Sequence, residues 1–382
     1  MTIAISRRLM LAGTGAGSAL ALTGASRAAL AASPSAEPEY GADAADVFGP
    51  PAGIAQLSRT ENPFGPAPSA LQAIARSAPM GAYYADRGLR KMVDLIAERH
   101  AMGAENVVLS SGSTEVLICA AMALPAGKAI LCPDLFWDTT VKYAARKGAK
   151  VKRVPLGADM GVDLAAMKAA VGPDVGLIHI CNPNNPTAMS LDGDALRAFI
   201  RSIDPGIPIL IDEAYMELTA KPEYTSMVDL LGERENLIIT RTFSKIYGMA
   251  GLRLGYALTS PGLAETLRGY LMSFGGNTAG LAAGIASYND KAFLKYSKDH
   301  VLEAREAIMA AVKSCGLTAL PSDTNFVYVK VPDADALFKA MAEARVDVRP
   351  AYGKWKQWSR VSTGKMEDVQ RYAKVLRAFY NA

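Results

Sequence analysis

The chain has 382 residues, half of them hydrophobic and a fifth charged, with a formal net charge of +4. That length and apolar content suffice for a large core or two linked cores. Basic residues this dispersed leave no electrostatic footprint for nucleic acid, so a small-molecule partner is expected.

Taken in chain order, the N-terminus comes first. Ser6-Arg7-Arg8-Leu9-Met10-Leu11, an apolar run to Leu22 and then Ala29-Leu30-Ala31 have the three-part build of a secretory signal, and the paired arginines give it a twin-arginine character. The run is too short and too glycine-rich to span roughly 30 Å of hydrocarbon. Residues 1–31 are therefore expected to be cleaved after an export translocase delivers the protein to the periplasm, with no stable membrane insertion. Residues 32–62 are expected to be a tether, rich in Ala, Ser, Pro and Gly, that continues into an ordered arm around Arg59-Thr60-Glu61-Asn62-Pro63. Cys119, Cys132, Cys181 and Cys315 show no CxxC or zinc spacing, so no metal site is expected. A twin-arginine substrate folds in the reducing cytosol, and all four are expected to be buried free thiols.

Beyond the arm, short β-rich runs alternate with helical ones: Val107 to Ser110, Ala129 to Cys132, Lys150 to Leu156, Gly176 to Cys181, Ile207 to Ile211 and Leu237 to Thr240. Such alternation predicts an α/β domain over residues 63–276, with a mostly parallel mixed sheet covered by helices on both faces. Leu254 to Thr259 follows the preceding strand too soon for a long crossover and is expected as an antiparallel edge. Residues 277–382 change to long helical segments around Phe326 to Val331, Val346 to Arg349 and Arg360 to Ser362, a smaller α+β domain.

Four motifs stand where one cofactor would need them. Thr242-Phe243-Ser244-Lys245 through Arg253-Leu254-Gly255 follows a strand and offers an amine, the hydroxyls of Thr242 and Ser244, and a guanidinium among small residues. Lys245 is able to condense with an aldehyde, although a lysine past a strand is more often a solvated surface residue. Asp212-Glu213-Ala214-Tyr215 ends an apolar strand, which puts Asp212 at a carboxyl edge, where ligands bind in open parallel sheets. A carboxylate buried there demands a cation, and a protonated pyridine nitrogen is one, whereas the plain alternative is an Asp capping the next helix. Cys181-Asn182-Pro183-Asn184-Asn185-Pro186-Thr187 forms a rigid turn that aims the Asn185 amide. Ser110-Ser111-Gly112-Ser113-Thr114 enters a helix whose free amides suit a phosphate, or is an ordinary cap by Ser111 or Ser113.

Together these residues resemble the histidinol-phosphate aminotransferase branch of the class I/II aminotransferases, over roughly residues 57–380. The resemblance implies the fold-type I architecture, pyridoxal 5'-phosphate as cofactor, and an amino acid and a 2-oxo acid as substrates. The family's cofactor lysine matches Lys245 and its pyridine-nitrogen aspartate Asp212. Its phenolic-oxygen ligands match Tyr215 and Asn185, and its phosphate ligands Ser113, Thr114, Thr242, Ser244 and Arg253. Tyr84-Ala85-Asp86 looks like the Tyr-Pro-Asp segment whose tyrosine reaches the other subunit's cofactor phosphate, which implies a homodimer with shared sites. Arg59 to Pro66 is similar to the family's entrance segment. Arg360, in Arg360-Val361-Ser362-Thr363-Gly364, matches the arginine that grips the substrate carboxylate, with Asn185 and Asn325 beside it.

Three departures stand out. Ala188 replaces the usual glycine after the Asn-Pro-Thr turn, so the local backbone is expected to differ slightly. Thr114 replaces an aspartate in the phosphate turn. The aromatic that stacks on the ring falls at Trp137 or Phe136, while counting forward from Pro133 lands on Leu135. The alternative to transamination is decarboxylation or a lyase reaction on the same motifs. The stretch from Arg349 to Trp358 is basic and aromatic, and either lines a pocket for aromatic or anionic side chains or is an amphipathic surface loop.

Overall fold

The computed structural model describes residues 47–273 and 275–380, so the expected signal peptide and the start of the tether lie outside the described residues. Residues 47–51 form turns and bends only, and the compact unit begins at Ala52. It opens with β1 (Ala55–Leu57), α1 (Pro68–Ser77) and α2 (Asp86–Arg99). Alternation follows with β2 (Val107–Ser110), α3 (Ser113–Ala123), β3 (Ala129–Pro133), α4 (Thr139–Arg146), β4 (Lys150–Val154) and α5 (Leu164–Ala169). It continues through β5 (Val175–Cys181), α6 (Gly193–Ser202), β6 (Ile209–Asp212), α7 (Pro222–Thr225), β7 (Leu237–Thr242), β8 (Gly255–Leu258) and α8 (Pro261–Arg268). The remainder is α9 (Thr278–Ser287), α10 (Lys291–Ser314), β9 (Thr318–Ala319), β10 (Phe326–Lys330), α11 (Ala334–Glu343), β11 (Val346–Val348), β12 (Trp358–Ser362) and α12 (Met366–Tyr380).

Seven strands form one sheet in the order β2-β8-β7-β6-β5-β3-β4. From β4 across to β7 the pairs are parallel, and β8 is antiparallel to both β7 and β2. Side chains alternate between two covered faces, which is why the strands read as continuous apolar runs. Ile209 and Ile211 join the core on one face with Leu237 and Ile239, whereas Leu210 and Ile238 join the core on the other. The expected edge strand is corrected here: β8 is antiparallel but interior. The short connection from β7 sets its direction, and β2, from earlier in the chain, pairs along its outer side.

The C-terminal strands form an antiparallel sheet in the order β12-β10-β9, while β1 pairs parallel with β11. Ala55 and Leu57 are buried in the same cluster as Val327, Val329, Val361 and Tyr372, so the chain entering the arm is anchored among C-terminal residues. Leu281 on α9, Tyr288 at its C-cap, and Phe293 and Val301 on the first half of α10 pack instead with the core of the seven-stranded sheet. All four cysteines are free, but only Cys119, Cys132 and Cys181 are buried. Cys315 is half-buried, which corrects the expectation for it: it caps the C-terminus of α10, where the chain turns outward. Among the described residues no helix is long and apolar enough to cross a membrane.

Candidate active site

Strands β5, β6 and β7 end side by side at Cys181, Asp212 and Thr242, with Cys181 opposite Asp212 in register. This is the carboxyl edge, and a cavity of about 490 Å³ opens there. Ser113, Thr114, Trp137, Asn185, Asp212, Tyr215, Thr242, Ser244, Lys245, Arg253 and Arg360 all line it.

Strand alternation separates two neighbouring acids. Glu213 turns away from the cavity and is satisfied by Arg241 at 3.0 Å, the Ser226 hydroxyl at 2.9 Å and the Met227 amide at 2.7 Å. Asp212 faces the cavity at 4% exposure and accepts from the Thr240 hydroxyl at 3.1 Å, with the Cys181 thiol 4.0 Å away. It does not cap the following helix. Burial pushes its carboxyl up to about 6. Its donors are the Thr240 hydroxyl and the Ala214 amide, with Lys245 the nearby positive charge and no ion pair among the described residues, so the site suits a further cation in the cavity.

At the other end, α3 starts at Ser113 after Gly112, and neither Ser111 nor Ser113 caps it through a side chain. The Glu115 amide donates to the Gly112 carbonyl at 3.1 Å, whereas the amides of Ser113 and Thr114 precede any intrahelical acceptor and carry the positive end of the helix dipole. Gly112 has φ +77°, and a Cβ there would collide with the Arg253 guanidinium. The Ser244 amide donates to Thr242 Oγ1 at 3.1 Å, and that hydroxyl donates on to Ser244 Oγ at 3.0 Å. Helix amides, two hydroxyls and a guanidinium together make an anion cradle. Thr114 in place of a carboxylate leaves those amides in position.

Lys245 lies between these poles. Its Nζ donates to the Thr60 carbonyl at 3.0 Å and to Thr60 Oγ1 at 2.6 Å. The arm is held to the lysine loop by Asn62, whose Nδ2 donates to the Lys245 carbonyl at 2.9 Å and the Ile246 carbonyl at 3.1 Å. Gly65 and Gly248 meet backbone to backbone, and a Cβ on either would clash. Burial, then the facing Arg360 guanidinium, lowers the amine to about 8. About a tenth of the amine is then neutral at pH 7, far more than for an ordinary lysine, as a nucleophile or base requires.

A hydrogen-bonded row closes the site. Asn185 Nδ2 donates to the Tyr215 hydroxyl at 3.1 Å, and Arg360 Nη1 donates to Asn185 Oδ1 at 2.8 Å. Burial pushes the Tyr215 phenol well above its ordinary range and keeps it protonated. Arg360 is 4% exposed, donates from Nη2 to the Ser58 carbonyl at 2.5 Å, and leaves Nε without a partner among the described residues. Phe326 and Tyr352 lie on either approach to its guanidinium, with ring centroids at 5.2 and 5.7 Å.

Two residues named from the sequence lie apart from the cavity wall. Asn325 supports the arm from behind, donating to the Thr60 carbonyl at 2.9 Å and the Glu61 carbonyl at 3.3 Å. Tyr84 precedes α2 and is 76% exposed. Phe136 and Trp137 both line the cavity, but Phe136 is buried edge-on against His179, leaving Trp137 the more open ring. Leu135 packs away from the cavity with Met160 and Tyr328. The Arg349 to Trp358 stretch divides: Arg349 and Tyr352 line the cavity, whereas Lys354 pairs with Asp134 at 2.6 Å and Trp355 and Trp358 pack around Tyr328. Ala188 takes φ +67°, in the left-handed region that favours glycine. Arg59, Thr60, Glu61 and Cys181 also line the cavity. The quoted motifs contained them, but residue type alone gave them no role.

The model of the aminotransferase class I and II family matches residues 52–376. The chain is 34% identical over 337 residues to histidinol-phosphate aminotransferase 2 of Ralstonia nicotianae, covering 86% of this chain and 88% of that protein. It is 32% identical over 326 residues to histidinol-phosphate aminotransferase 1 of Dechloromonas aromatica, with 85% and 89% covered. The crystal structure of histidinol-phosphate aminotransferase from Sinorhizobium meliloti in complex with pyridoxal-5'-phosphate has a TM-score of 0.79 at 29% identity, covering 85% of this chain and 92% of that one. A planar cationic ring bearing a phosphate fits the donor set found here: a buried acid with no ion pair among the described residues at one end of the cavity and an anion cradle at the other.

Proposed function

The chain belongs to the aminotransferases of class I and II and is a pyridoxal-phosphate-dependent transaminase, and from that premise we propose that it moves the amino group of an L-amino acid with an anionic side chain to a 2-oxo acid. The observation that carries this reading is a surplus of guanidinium in the cavity wall: Arg360, buried and with no partner for Nε among the described residues, serves the carboxylate common to all amino acids, and two further arginines remain. Arg59 and Arg349 line the same cavity and supply positive charge for a second anion.

When bound, pyridoxal phosphate supplies an aldehyde that condenses with amines and a protonated ring that draws electrons from the substrate's Cα. In this reading Asp212 holds the proton on the ring nitrogen, and Asn185 and Tyr215 donate to the ring's phenolic oxygen. Trp137 lies against the ring, and Ser113, Thr114, Thr242, Ser244 and Arg253 take the phosphate. Arg360 would hold the substrate carboxylate, keep that group from leaving and so favour loss of the Cα proton. Lys245 would accept the Cα proton on Nζ as general base and return it as general acid. A panel of donors tests the proposal. Glutamate and aspartate should exceed leucine and phenylalanine in kcat/KM by at least about tenfold, and a preference for apolar donors would contradict it.

The reading extends to assembly and location. Separate sheets and cores support two domains, but the expected division at residue 277 is displaced: residues up to Val301 pack with the larger core, and the C-terminal core takes Ala55, Leu57 and residues from Ala304 onward. A homodimer in which Tyr84 reaches the neighbour's phosphate is supported by its exposure and by Leu71, Met80 and Tyr83, also exposed in the same stretch of chain. Sedimentation of a fully active monomer would contradict it. Export as folded holoenzyme rests on Arg7-Arg8. Replacing both with lysine should leave active enzyme in the cytoplasm, and unchanged export would defeat this part alone.

A further inference from the structure

Thr60 has an unusual combination of strain and support. It is a β-branched residue at φ +57°, in the left-handed region that such residues avoid. Its amide donates to Ser362 Oγ at 2.9 Å, and its carbonyl accepts from Asn325 Nδ2 at 2.9 Å. Ser362 is two residues from Arg360 on β12, so the strand carrying the arginine also fixes this turn. The Thr60 hydroxyl donates to the Arg59 carbonyl at 2.6 Å. Its lone pairs are thereby left to Lys245 Nζ at 2.6 Å and the Tyr215 hydroxyl at 3.4 Å.

We propose that Thr60 is a positioning residue for Lys245: its carbonyl and hydroxyl oxygens form the station that holds Nζ whenever the amine is not covalently engaged. A neutral amine has two N–H bonds and one lone pair. When both N–H groups are held by Thr60, the remaining position is the lone pair that takes up a proton. In the ammonium form that position is the third N–H, which returns one. The two oxygens thus act as a rotational lock on a proton shuttle that otherwise spins freely on a flexible stem. The inference rests on Lys245 being the reactive amine. Other groups that act on Nζ are the Arg360, Glu61, Asp212 and Cys181 side chains, with the Tyr215 ring centroid at 5.4 Å.

The test uses full-length Thr60→Val, which keeps the β-branched shape and removes the hydroxyl, and Thr60→Ser, which keeps it. In cofactor-free protein, reductive methylation of Lys245 with formaldehyde is followed by peptide mapping across pH. The midpoint for the valine variant should fall by roughly one pH unit, since its ammonium form loses a charge-assisted acceptor, while the serine variant should follow wild type. In holoenzyme, Thr60→Val should lower kcat by roughly tenfold with KM within about twofold, and should enlarge the Cα-deuterium isotope effect. If the valine variant does not fold, Thr60→Gly, which relieves the backbone and also lacks the hydroxyl, should show the same pattern. An unchanged midpoint and isotope effect in the variant without the hydroxyl would overturn the proposal. Cofactor reduced onto a different lysine would remove the premise instead.

Discussion

Arg360 donates from Nη1 to Oδ1 of Asn185 at 2.8 Å, and the same amide donates from Nδ2 to the Tyr215 hydroxyl at 3.1 Å. The asparagine is thereby fixed in one orientation, with its oxygen toward the guanidinium. Asn185→Asp would give Arg360 a carboxylate of its own in place of the substrate's. KM for amino donors should rise by about tenfold or more in steady-state assays, because a charge-assisted pair must be displaced. An unchanged KM would show that Arg360 does not receive the substrate carboxylate.

Burial raises the Asp212 carboxyl to about 6, whereas an aspartate in an unfolded chain titrates near 3.9. Between those values the folded chain keeps a proton that the unfolded chain has lost. Stability of the cofactor-free protein therefore falls as pH rises through that window, by on the order of 3 kcal/mol from this group, and levels off above it. Asp212→Asn should match wild type near pH 4 and exceed it at pH 7 in denaturant unfolding of cofactor-free protein. The same variant should lose transamination by orders of magnitude, since the ring nitrogen no longer keeps its proton. A wild type more stable than the variant at pH 7 would contradict the account.

Ala188 is buried at φ +67°. An L-residue in that region costs about 1–2 kcal/mol, partly offset by the smaller unfolded-state entropy of alanine relative to glycine. Ala188→Gly should raise unfolding stability by up to about 1 kcal/mol with the turn unchanged. Destabilisation would mean that the methyl group contributes more through packing than the backbone loses.

Arg349 lines the cavity with Tyr352, its guanidinium 5.6 Å from that ring centroid. Arg349→Ala should lower kcat/KM for donors with anionic side chains by roughly tenfold and leave alanine within about twofold. Equal losses on both donors would assign Arg349 to general structure and not to selectivity.

The parallel sheet and the residues at its carboxyl edge were legible because strand ends and turn motifs are local signals. Asp212, Asn185 and Lys245 each follow an apolar run, so their shared edge followed once the strands were known to be parallel. β8 was legible in direction but not in position, since its outer partner β2 comes from about 150 residues earlier in the chain. β1 has three residues and takes its hydrogen bonds from β11, so no periodicity announced it. Thr60 acquires its contact with Lys245 only when Asn62 and the Gly65–Gly248 approach dock the arm, a long-range event that spacing does not encode.

The central claim is that Lys245 is the residue joined covalently to pyridoxal phosphate, and reduction followed by peptide mapping tests it most directly. Purified protein should be yellow, and borohydride should fix a phosphopyridoxyl group on the peptide that contains Lys245, with no trapping in Lys245→Ala. Label on another lysine, or trapping that persists in Lys245→Ala, would contradict the account.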